Sequence, residues 1–392
     1  MTRKICVVTG SRAEYGLLRP LLEEIRKDKA LRLFLVVTGA HLSGEFGLTY
    51  REIEKDRFRI SGKVDISLKT DIPSGIARST GLAVSNFARL YETMKPDIVA
   101  ALGDRFEIFG AVTAALISRI PVAHIGGGEL TEGSIDNSFR YAITKMSHLH
   151  FVCTEEYRRR VMQLGEDPKT IFNVGSLGLD NIRYLRLLSK KELETRFGFE
   201  FSRRNLLVTF HPATLDEAPA AAQFRELLAA ADNLKDTKIF FTKANADTGG
   251  KAINRMIDRY AAGRGNSIVV FDSMGHLGYL SMMRFVDGVV GNSSSGIAEA
   301  PSFKIGTVNV GDRQRGRARA ASVIDCAPDR REISRAIQKI YSAGFKARLA
   351  GTVNPYAAKG SAARKIKDVL KNHRLDNILK KKFHDVIFKD RR

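Results

Sequence analysis

Residues 4–28 read KICVVTGSRAEYGLLRPLLEEIRKD. The apolar run Ile5–Thr9 leads through the small-residue turn Gly10–Gly16 into an amphipathic stretch near residues 15–28. A buried strand, a turn and a helix in this order open a parallel βαβ unit. The stretch therefore predicts an α/β fold in which ligands bind just beyond the carboxyl ends of the strands.

The same alternation continues along the chain in two series, joined by a charged helical connection over residues 183–196. The predicted strands of the first series are Ile5–Thr9, Leu31–Thr38, Lys63–Leu68, Asp97–Leu102, Pro121–Ile125, Leu149–Cys153 and Ile171–Val174. Those of the second are Leu206–Phe210, Lys238–Phe241, Ser267–Phe271, Gly288–Val290, Gly306–Val310 and Ser322–Ile324. Two series predict two Rossmann-like doubly wound domains that face a cleft.

We expect an N-terminal domain over residues 1–180, a C-terminal domain over residues 200–371 and a basic tail over residues 372–392. The length of 392 residues agrees with two domains. The tail carries no strand-end motif, so we expect its charges to be solvated or to contact another subunit. Truncation after Lys371 is then expected to leave much of the catalysis intact.

The composition predicts a cytoplasmic protein that binds neither membrane nor nucleic acid. Its three cysteines lack metal-ligand spacing, and no apolar stretch approaches the roughly 18–20 residues of a membrane span. The formal charge is +21, but twelve Lys and Arg against four Asp lie in residues 359–392 alone. Basic residues are not interleaved with aromatic ones and Trp is absent, which disfavours a nucleic-acid surface.

Charged residues follow the strands of the first series. Arg12 lies in the turn after the first strand, where backbone N–H groups suit an anion. Asp104 and Arg105 follow the fourth strand, and the loop after the fifth strand carries Glu129 and leads to Asp136. Three carboxylates in one cleft would raise some of their pKa values, as acid–base chemistry needs.

Each of these residues also has an ordinary structural interpretation. Arg12 would then face solvent, Asp104 and Asp136 would cap helices, and Glu129 would lie in a surface loop. His124 lies inside the fifth predicted strand and is interpreted as a hydrogen-bonded histidine of the core.

The second series has strand-end residues suited to a nucleotide diphosphate. His211 follows its first strand, Asn245 lies beyond its second, and Arg313 follows a later strand. The turn Gly291–Glu299, with sequence GNSSSGIAE, is rich in hydroxyls that can donate to a phosphate, while Glu299 can accept both ribose hydroxyls. The alternative is a capped helix beside an exposed basic loop. Because the sequence has no Asp-x-Asp pair, we expect neither a metal nor another cofactor.

Seven segments taken together resemble the hydrolysing UDP-N-acetylglucosamine 2-epimerase family, over roughly residues 4–370. They are TGSRAEYG (9–16), TGAHLS (38–43), KPDIV (95–99), GDRFE (103–107), GGELTEGSIDNSFRYAITKMSHLH (127–150), TFHP (209–212) and GNSSSGIAEAP (291–301). The resemblance implies the two-domain arrangement called GT-B, a UDP-sugar substrate and a homodimer or homotetramer.

The resemblance also implies roles for individual residues, with His211 counted in both sets. The implied UDP-binding set is Arg12, His211, Asn245, Ser293, Ser294, Glu299 and Arg313. The implied catalytic set is Asp104, Glu129 and Asp136, supported by Arg105, Arg140 and His211. Two positions depart from the family pattern, since Gly126 stands where relatives often carry Glu or His, and Tyr141 where they often have His. If either absent side chain does chemistry, Glu129 or Asp136 must replace it.

The implied reaction converts UDP-N-acetylglucosamine and water to N-acetylmannosamine and UDP, by elimination to 2-acetamidoglucal and then hydration. A related enzyme that hydrolyses and epimerises UDP-2,4-diacetamido-trideoxyglucose, of the legionaminic-acid route, would have the same motifs. A GT-B glycosyltransferase is a second alternative. A protein that binds nucleic acid or an acidic surface through its basic tail is a third.

Overall fold

The structure, a computed structural model, describes residues 2–70, 72–132, 134–213, 219–244 and 249–386. Its residues divide into two compact units. Unit 1 comprises residues 1–129, 136–180 and 357–392, and unit 2 comprises residues 130–135 and 181–356.

Unit 1 is built on a parallel sheet in the order β3-β2-β1-β4-β5-β6-β7. Its strands are β1 Arg3–Thr9, β2 Leu31–Thr38, β3 Ile60–Val64, β4 Ile98–Leu102, β5 Val122–Ile125, β6 Leu149–Val152 and β7 Ile171–Asn173. Its helices are α1 Arg12–Lys27, α2 Tyr50–Lys55, α3 Pro73–Met94, α4 Phe106–Ile117, α5 Asp136–Met146, α6 Glu155–Gln163 and, later in the chain, α15 Ala362–Asn372.

Unit 2 is built on a second parallel sheet in the order β10-β9-β8-β11-β12-β13. Its strands are β8 Arg204–Thr209, β9 Thr237–Thr242, β10 Ile268–Phe271, β11 Gly288–Gly291, β12 Gly306–Val310 and β13 Val323–Cys326. Its helices are α8 Lys190–Phe197, α9 Ala220–Ala231, α10 Gly250–Ala261, α11 Gly275–Met282, α12 Ser294–Ala298, α13 Arg330–Tyr341 and α14 Ala343–Ala350. A further helix, α7 Leu177–Tyr184, crosses the boundary between the units.

Both faces of each sheet are buried, which explains why the strands read as apolar runs. In β1, Ile5 and Val7 belong to one buried cluster while Cys6 and Val8 belong to another, because successive side chains of a strand point to opposite faces. In β8, Leu206 and Leu207 divide between two clusters in the same way. Two doubly wound parallel-sheet units, as predicted from the two series, are confirmed.

Some predicted elements differ from the observed ones. Strand β3 begins at Ile60 and ends at Val64, earlier than the predicted Lys63–Leu68. The connection over residues 183–196 is not one helix, since α7 ends at Tyr184 and α8 begins at Lys190 behind a Ser189 capping box. Ser189 in the middle of this segment marks the start of a new helix. The periodic charges on both sides of it made the segment look like one continuous helix.

The C-terminal helix α15 belongs to unit 1, whereas residues up to 371 were predicted to lie in the C-terminal domain. Its buried residues Ala363, Ile366 and Leu370 share a core cluster with Leu18 and Leu22 of α1. The Asp180 carboxylate also accepts hydrogen bonds from the backbone N–H groups of Ala362 and Ala363 at the start of α15. Hydrophobic burial at long sequence separation therefore returns the chain to the first unit.

Lys381 of the tail pairs with a residue of its own chain, whereas the charges of the tail were expected to be solvated or to contact another subunit. Its ammonium lies 2.7 Å from a carboxylate oxygen of Glu166, and its side chain is only 25% exposed. It also donates to the backbone oxygens of Lys145 and Ser147. Burial alone would raise the pKa of Glu166, but hydrogen bonds and charges from His150, Lys145 and Lys381 lower it to about 2.

Substituting Lys381 with Met is expected to lower the free energy of unfolding by about 2 kcal/mol, because the buried Glu166 carboxylate loses a charged partner. The folded-state pKa of Glu166 lies below its ordinary value of 4.5, so this stabilisation is present above pH 4.5 and is lost as the pH falls toward about 2. Urea denaturation at neutral and acidic pH measures both effects. Lys382→Met, at an exposed neighbour, is the control, and an equal loss in both variants would contradict the role of Lys381.

None of the helices in the described part of the chain has the length and apolar character needed to cross a membrane.

Candidate active site

The turn after β1 is organised by its own side chains. Ser11 is the N-cap of α1 and accepts from the backbone N–H of Glu14, while a Glu14 carboxylate oxygen accepts from the backbone N–H of Gly10 at 2.7 Å. Arg12 begins α1 and is half-buried, so it does not simply face solvent. The N–H group of Gly10, expected to be available to an anion, is therefore occupied by Glu14.

Asp104, Glu129 and Arg140 meet beyond the strands of unit 1. The Arg140 guanidinium, whose residue is 3% exposed, pairs with the Asp104 carboxylate and donates to the backbone oxygen of Glu129 at 2.7 Å. The helix-cap interpretation of Asp104 is wrong, because the N-cap of α4 is Arg105 and the Asp104 carboxylate is held by Arg140. Asp136 begins α5 one turn before Arg140, so the two residues share a face of that helix.

The Glu129 side chain lies near a thiol. The Sγ of Cys153 is 3.5 Å from a Glu129 carboxylate oxygen, a neighbour that spacing did not indicate. Gly126 has a φ of +92°, and a Cβ added there would lie 3.8 Å from the same Glu129 oxygen. A side chain at this position would therefore start beside Glu129.

Position 128 of the same loop can accept only glycine without strain. It has a φ of +77°, and a Cβ there would lie 2.4 Å from the backbone oxygen of Tyr157.

His124 is confirmed as a core histidine, since its ring nitrogens hydrogen-bond to Gly103 and Thr144. Burial lowers the pKa of His124 to about 3, so this ring is neutral at pH 7.

In unit 2, Asn292 follows β11 and hydrogen-bonds to residues that follow β8 and β12. Its side chain accepts from the backbone N–H of His211 at 2.7 Å and donates to the His211 oxygen at 2.8 Å. Its own backbone oxygen accepts from Arg313 at 3.1 Å and Gln314 at 2.9 Å. His211 and Arg313 are thus brought together through Asn292. This residue belongs to the GNSSSG segment, but its motif gave no signal of that role.

The serine-rich turn continues directly from Asn292. Ser293 is the N-cap of α12, which begins at Ser294, and the buried Glu299 is the C-cap of that short helix. Tyr279 of α11 also belongs to this group, because its hydroxyl lies against Thr209 and Ser293. Burial raises the pKa of that hydroxyl above its ordinary value. No sequence signal marked Tyr279, since it lies within a helix rather than after a strand. Asn245 lies outside the described residues.

Comparisons with known proteins agree on one family. A family model described as UDP-N-acetylglucosamine 2-epimerase matches residues 23–371. The chain is similar to a Campylobacter jejuni protein named GDP/UDP-N,N'-diacetylbacillosamine 2-epimerase (hydrolyzing), with 44% identity and coverage of 98% of this chain and 99% of the relative. It is 40% identical to the Escherichia coli polysialic acid biosynthesis protein P7, over 98% of both chains.

Two further comparisons extend this result. A Legionella pneumophila UDP-N,N'-diacetylbacillosamine 2-epimerase (hydrolyzing) is 37% identical, over 83% of this chain and 85% of the relative. The crystal structure of UDP-GlcNAc 2-epimerase from Neisseria meningitidis bound to UDP-GlcNAc has a TM-score of 0.79 at 18% identity, covering 94% of this chain and all of that one, so it shows the shared fold. The chain belongs to the UDP-N-acetylglucosamine 2-epimerase family, in its hydrolysing branch.

Proposed function

We propose that this protein is a hydrolysing 2-epimerase whose substrate is UDP-2,4-diacetamido-2,4,6-trideoxyglucose, also called UDP-N,N'-diacetylbacillosamine. The observation that carries the proposal is the full-length 44% identity to the Campylobacter jejuni relative named for that sugar. The Legionella pneumophila relative is named for the same sugar at 37% identity, whereas a Neisseria meningitidis relative named for UDP-N-acetylglucosamine is 33% identical. The second substrate considered from the sequence is therefore supported better than UDP-N-acetylglucosamine itself.

We assign the binding of UDP chiefly to residues of unit 2. The hydrogen bonds of Asn292 with the backbone of His211 and with the guanidinium of Arg313 support this, because they place both residues near the serine turn. Both are suited to a leaving diphosphate, which has to be stabilised as the C1–O bond breaks. Ser293 and Ser294 would donate to phosphate, and Glu299 would accept the ribose hydroxyls. Arg12 and Asn245 complete the proposed set.

We assign the proton transfers at C2 to the carboxylates of unit 1. A C2–H bond is only weakly acidic, so the C1–O bond must break far enough to place positive charge on C1 before a carboxylate removes the proton. UDP then leaves as an anion and a 2-acetamidoglycal forms. Water adds at C1 while C2 receives a proton from the opposite face, which inverts C2 and releases the free 2-epimeric sugar.

Inversion at C2 requires two proton-transferring groups, one for each face of the sugar. Asp104 and Glu129 are our candidates, since Arg140 holds the side chain of the first and the backbone of the second. Asp136 is the third candidate, on the same face of α5 as Arg140. Arg140 places positive charge beside Asp104, and Arg105 adjoins Asp104 in the chain.

With each UDP-sugar supplied alone, we expect kcat/KM for UDP release to be about 100-fold higher for the 2,4-diacetamido sugar than for UDP-N-acetylglucosamine. A site that hydrogen-bonds a 4-acetamido group would leave polar groups unpaired around a hydroxyl. A coupled assay for UDP measures the rate of release from each substrate, and mass spectrometry identifies the sugar that is formed. Equal or reversed preference would contradict the substrate assignment, and GDP-sugar in place of UDP-sugar tests the nucleotide.

The same assay separates the glycosyltransferase alternative. A transferase needs an acceptor, so UDP release that requires an added acceptor and yields no free sugar would favour it. Release with water alone and a free 2-epimer favours the epimerase.

A further inference from the structure

Two buried carboxyl groups of unit 1 lie against the same glycine. A Glu14 oxygen accepts from the backbone N–H of Gly10 at 2.7 Å. A Cβ added to Gly10 would lie 2.5 Å from Cγ of Glu107 and 2.6 Å from its Oε1. Glu14 is 8% exposed and Glu107 is 1% exposed. The two acids therefore flank Gly10 from α1 and from α4, and neither was assigned a role from the sequence.

The ion pair that the described part of the chain gives to these two acids involves one cation. Arg105 pairs with Glu107, with Nε 2.8 Å from Oε1, while the adjacent Asp104 has Arg140 as its own partner. Within the described residues, Oε1 of Glu14 and Oε2 of Glu107 are buried and have no hydrogen-bond partner. A buried carboxylate without a compensating charge or donor is costly, and the usual outcome is that the group takes up a proton.

We propose that Glu14 and Glu107 share a single proton, carried on Glu14, and that this protonated pair positions Arg105 and the Gly10 turn for the reaction. The proton turns one acceptor into a donor and leaves Glu107 as the anion of the pair that faces Arg105. The positioning role rests on the proposed function, because Arg105 adjoins the candidate catalytic Asp104. The shared proton itself is a property of the fold.

The electrostatics around Glu14 agree with this assignment. Burial, and then the charge of Glu107, raise the pKa of Glu14 to about 8, against lowering contributions from Arg105 and the Gly10 N–H. Asp104 adds a further raising contribution. On the side of the turn over residues 39–42, His41 hydrogen-bonds to Thr9 and Thr49, and burial lowers its pKa to about 4. His41 is therefore neutral and supplies no balancing charge at pH 7.

Ionisation of Glu14 would disturb Arg105. Above about pH 8 a second carboxylate would compete with Glu107 for the guanidinium. We expect kcat to fall on the alkaline side with a single ionisation. Glu14 acts through Arg105 and contacts no reacting atom, so it is a positioning residue and not a catalytic one.

The direct test is infrared difference spectroscopy of the full-length protein at neutral pH. Wild type is expected to have a C=O stretching band of a buried protonated carboxyl that is absent from Glu14→Gln. Glu23→Gln, on the same helix and paired with Arg26 at the surface, is the matched control and should keep the band. A band that persists in Glu14→Gln would overturn the proposal. If that variant does not fold, Glu107→Gln is expected to make the band disappear at a lower pH than in wild type, because it removes a negative charge that favours the proton on Glu14. An unchanged pH dependence of the band in Glu107→Gln would overturn the shared proton.

The pH dependence of stability is an independent readout. The folded-state pKa of Glu14 lies above its ordinary value of 4.5, so its stabilising contribution is complete below pH 4.5 and is lost as the pH rises through about 8. Glu14→Gln should therefore gain thermal stability relative to wild type between about pH 5 and about pH 9, while Glu23→Gln stays parallel to wild type. A Glu14→Gln curve parallel to wild type would overturn the shared proton.

The positioning role is tested by the pH profile of kcat with the preferred UDP-sugar. Glu14→Gln is expected to lose the alkaline decline that wild type and Glu23→Gln show. The same decline in all three proteins would overturn the positioning role. Failure of the proposed function would be distinct from both results, since it would appear as absence of UDP release from wild type while the infrared and unfolding results stand.

Discussion

Glu129→Gln is expected to lower kcat by a factor of about 100 or more while the affinity for UDP changes little. The amide keeps the size and hydrogen bonding of the side chain but cannot accept a proton from C2. Asp104→Asn is expected to have a comparable effect, with the added loss of a charged partner for the buried Arg140. Steady-state kinetics with calorimetric titration of UDP separates chemistry from binding.

Glu132→Gln is the matched control for this prediction. Glu132 lies in the same loop, is exposed and pairs with Arg315 at 3.5 Å, so its loss should leave kcat near that of wild type.

Turnover in deuterium oxide tests the elimination mechanism, because elimination followed by hydration must take the C2 hydrogen of the product from solvent. A product that retains the substrate's own C2 hydrogen would contradict the elimination and the roles of both carboxylates.

Gly291→Ala is expected to destabilise unit 2 by roughly 4 kcal/mol or more. Gly291 ends β11 with a φ of +129°, and a Cβ there would lie 2.0 Å from the backbone oxygen of Thr209. The two backbones are neighbours in the sheet, so neither can move without disturbing the register of β8 and β11. The strand ends that carry His211 and Asn292 would separate, and UDP affinity should fall with stability.

Gly344→Ala provides the comparison for Gly291→Ala. Gly344 lies in α14, is exposed, and has no atom within 4 Å of an added Cβ. Alanine should stabilise this helix by about 0.5–1 kcal/mol. Chemical denaturation followed by circular dichroism measures both variants. A Gly291→Ala protein as stable as wild type would show that the strand ends adapt more easily than their backbone distances indicate.

Local sequence was sufficient for most of the fold. The strands were predictable because each is buried on both faces and reads as a short apolar run, and the edges differ by a residue or two, as at Ile98 and Val122. Strand β3 was misplaced because only one of its residues, Val64, is buried, so its apolar signal is weak. The short helix α14 was missed because a single residue, Phe345, anchors it in the core.

The candidate site was predictable to the extent that it follows strands. Asp104, Glu129 and His211 come directly after buried runs, and that rule found them. The partners that hold them were not predictable in this way. Cys153 reaches Glu129 from a neighbouring strand end, and Tyr279 reaches the serine turn from inside a helix.

The sequence by itself determined the two parallel sheets, the family and the residues at the strand ends, because all of these depend on local hydrophobic pattern and short motifs. Only the tertiary structure decided which charges are buried together. The Asp104–Arg140 pair, the enclosure of Glu166 by Lys381 and the meeting of Glu14 with Glu107 at Gly10 each join distant segments. The energy of a charged side chain depends on the solvent and the charges that folding places around it. These surroundings cannot be inferred from the spacing of residues along the chain.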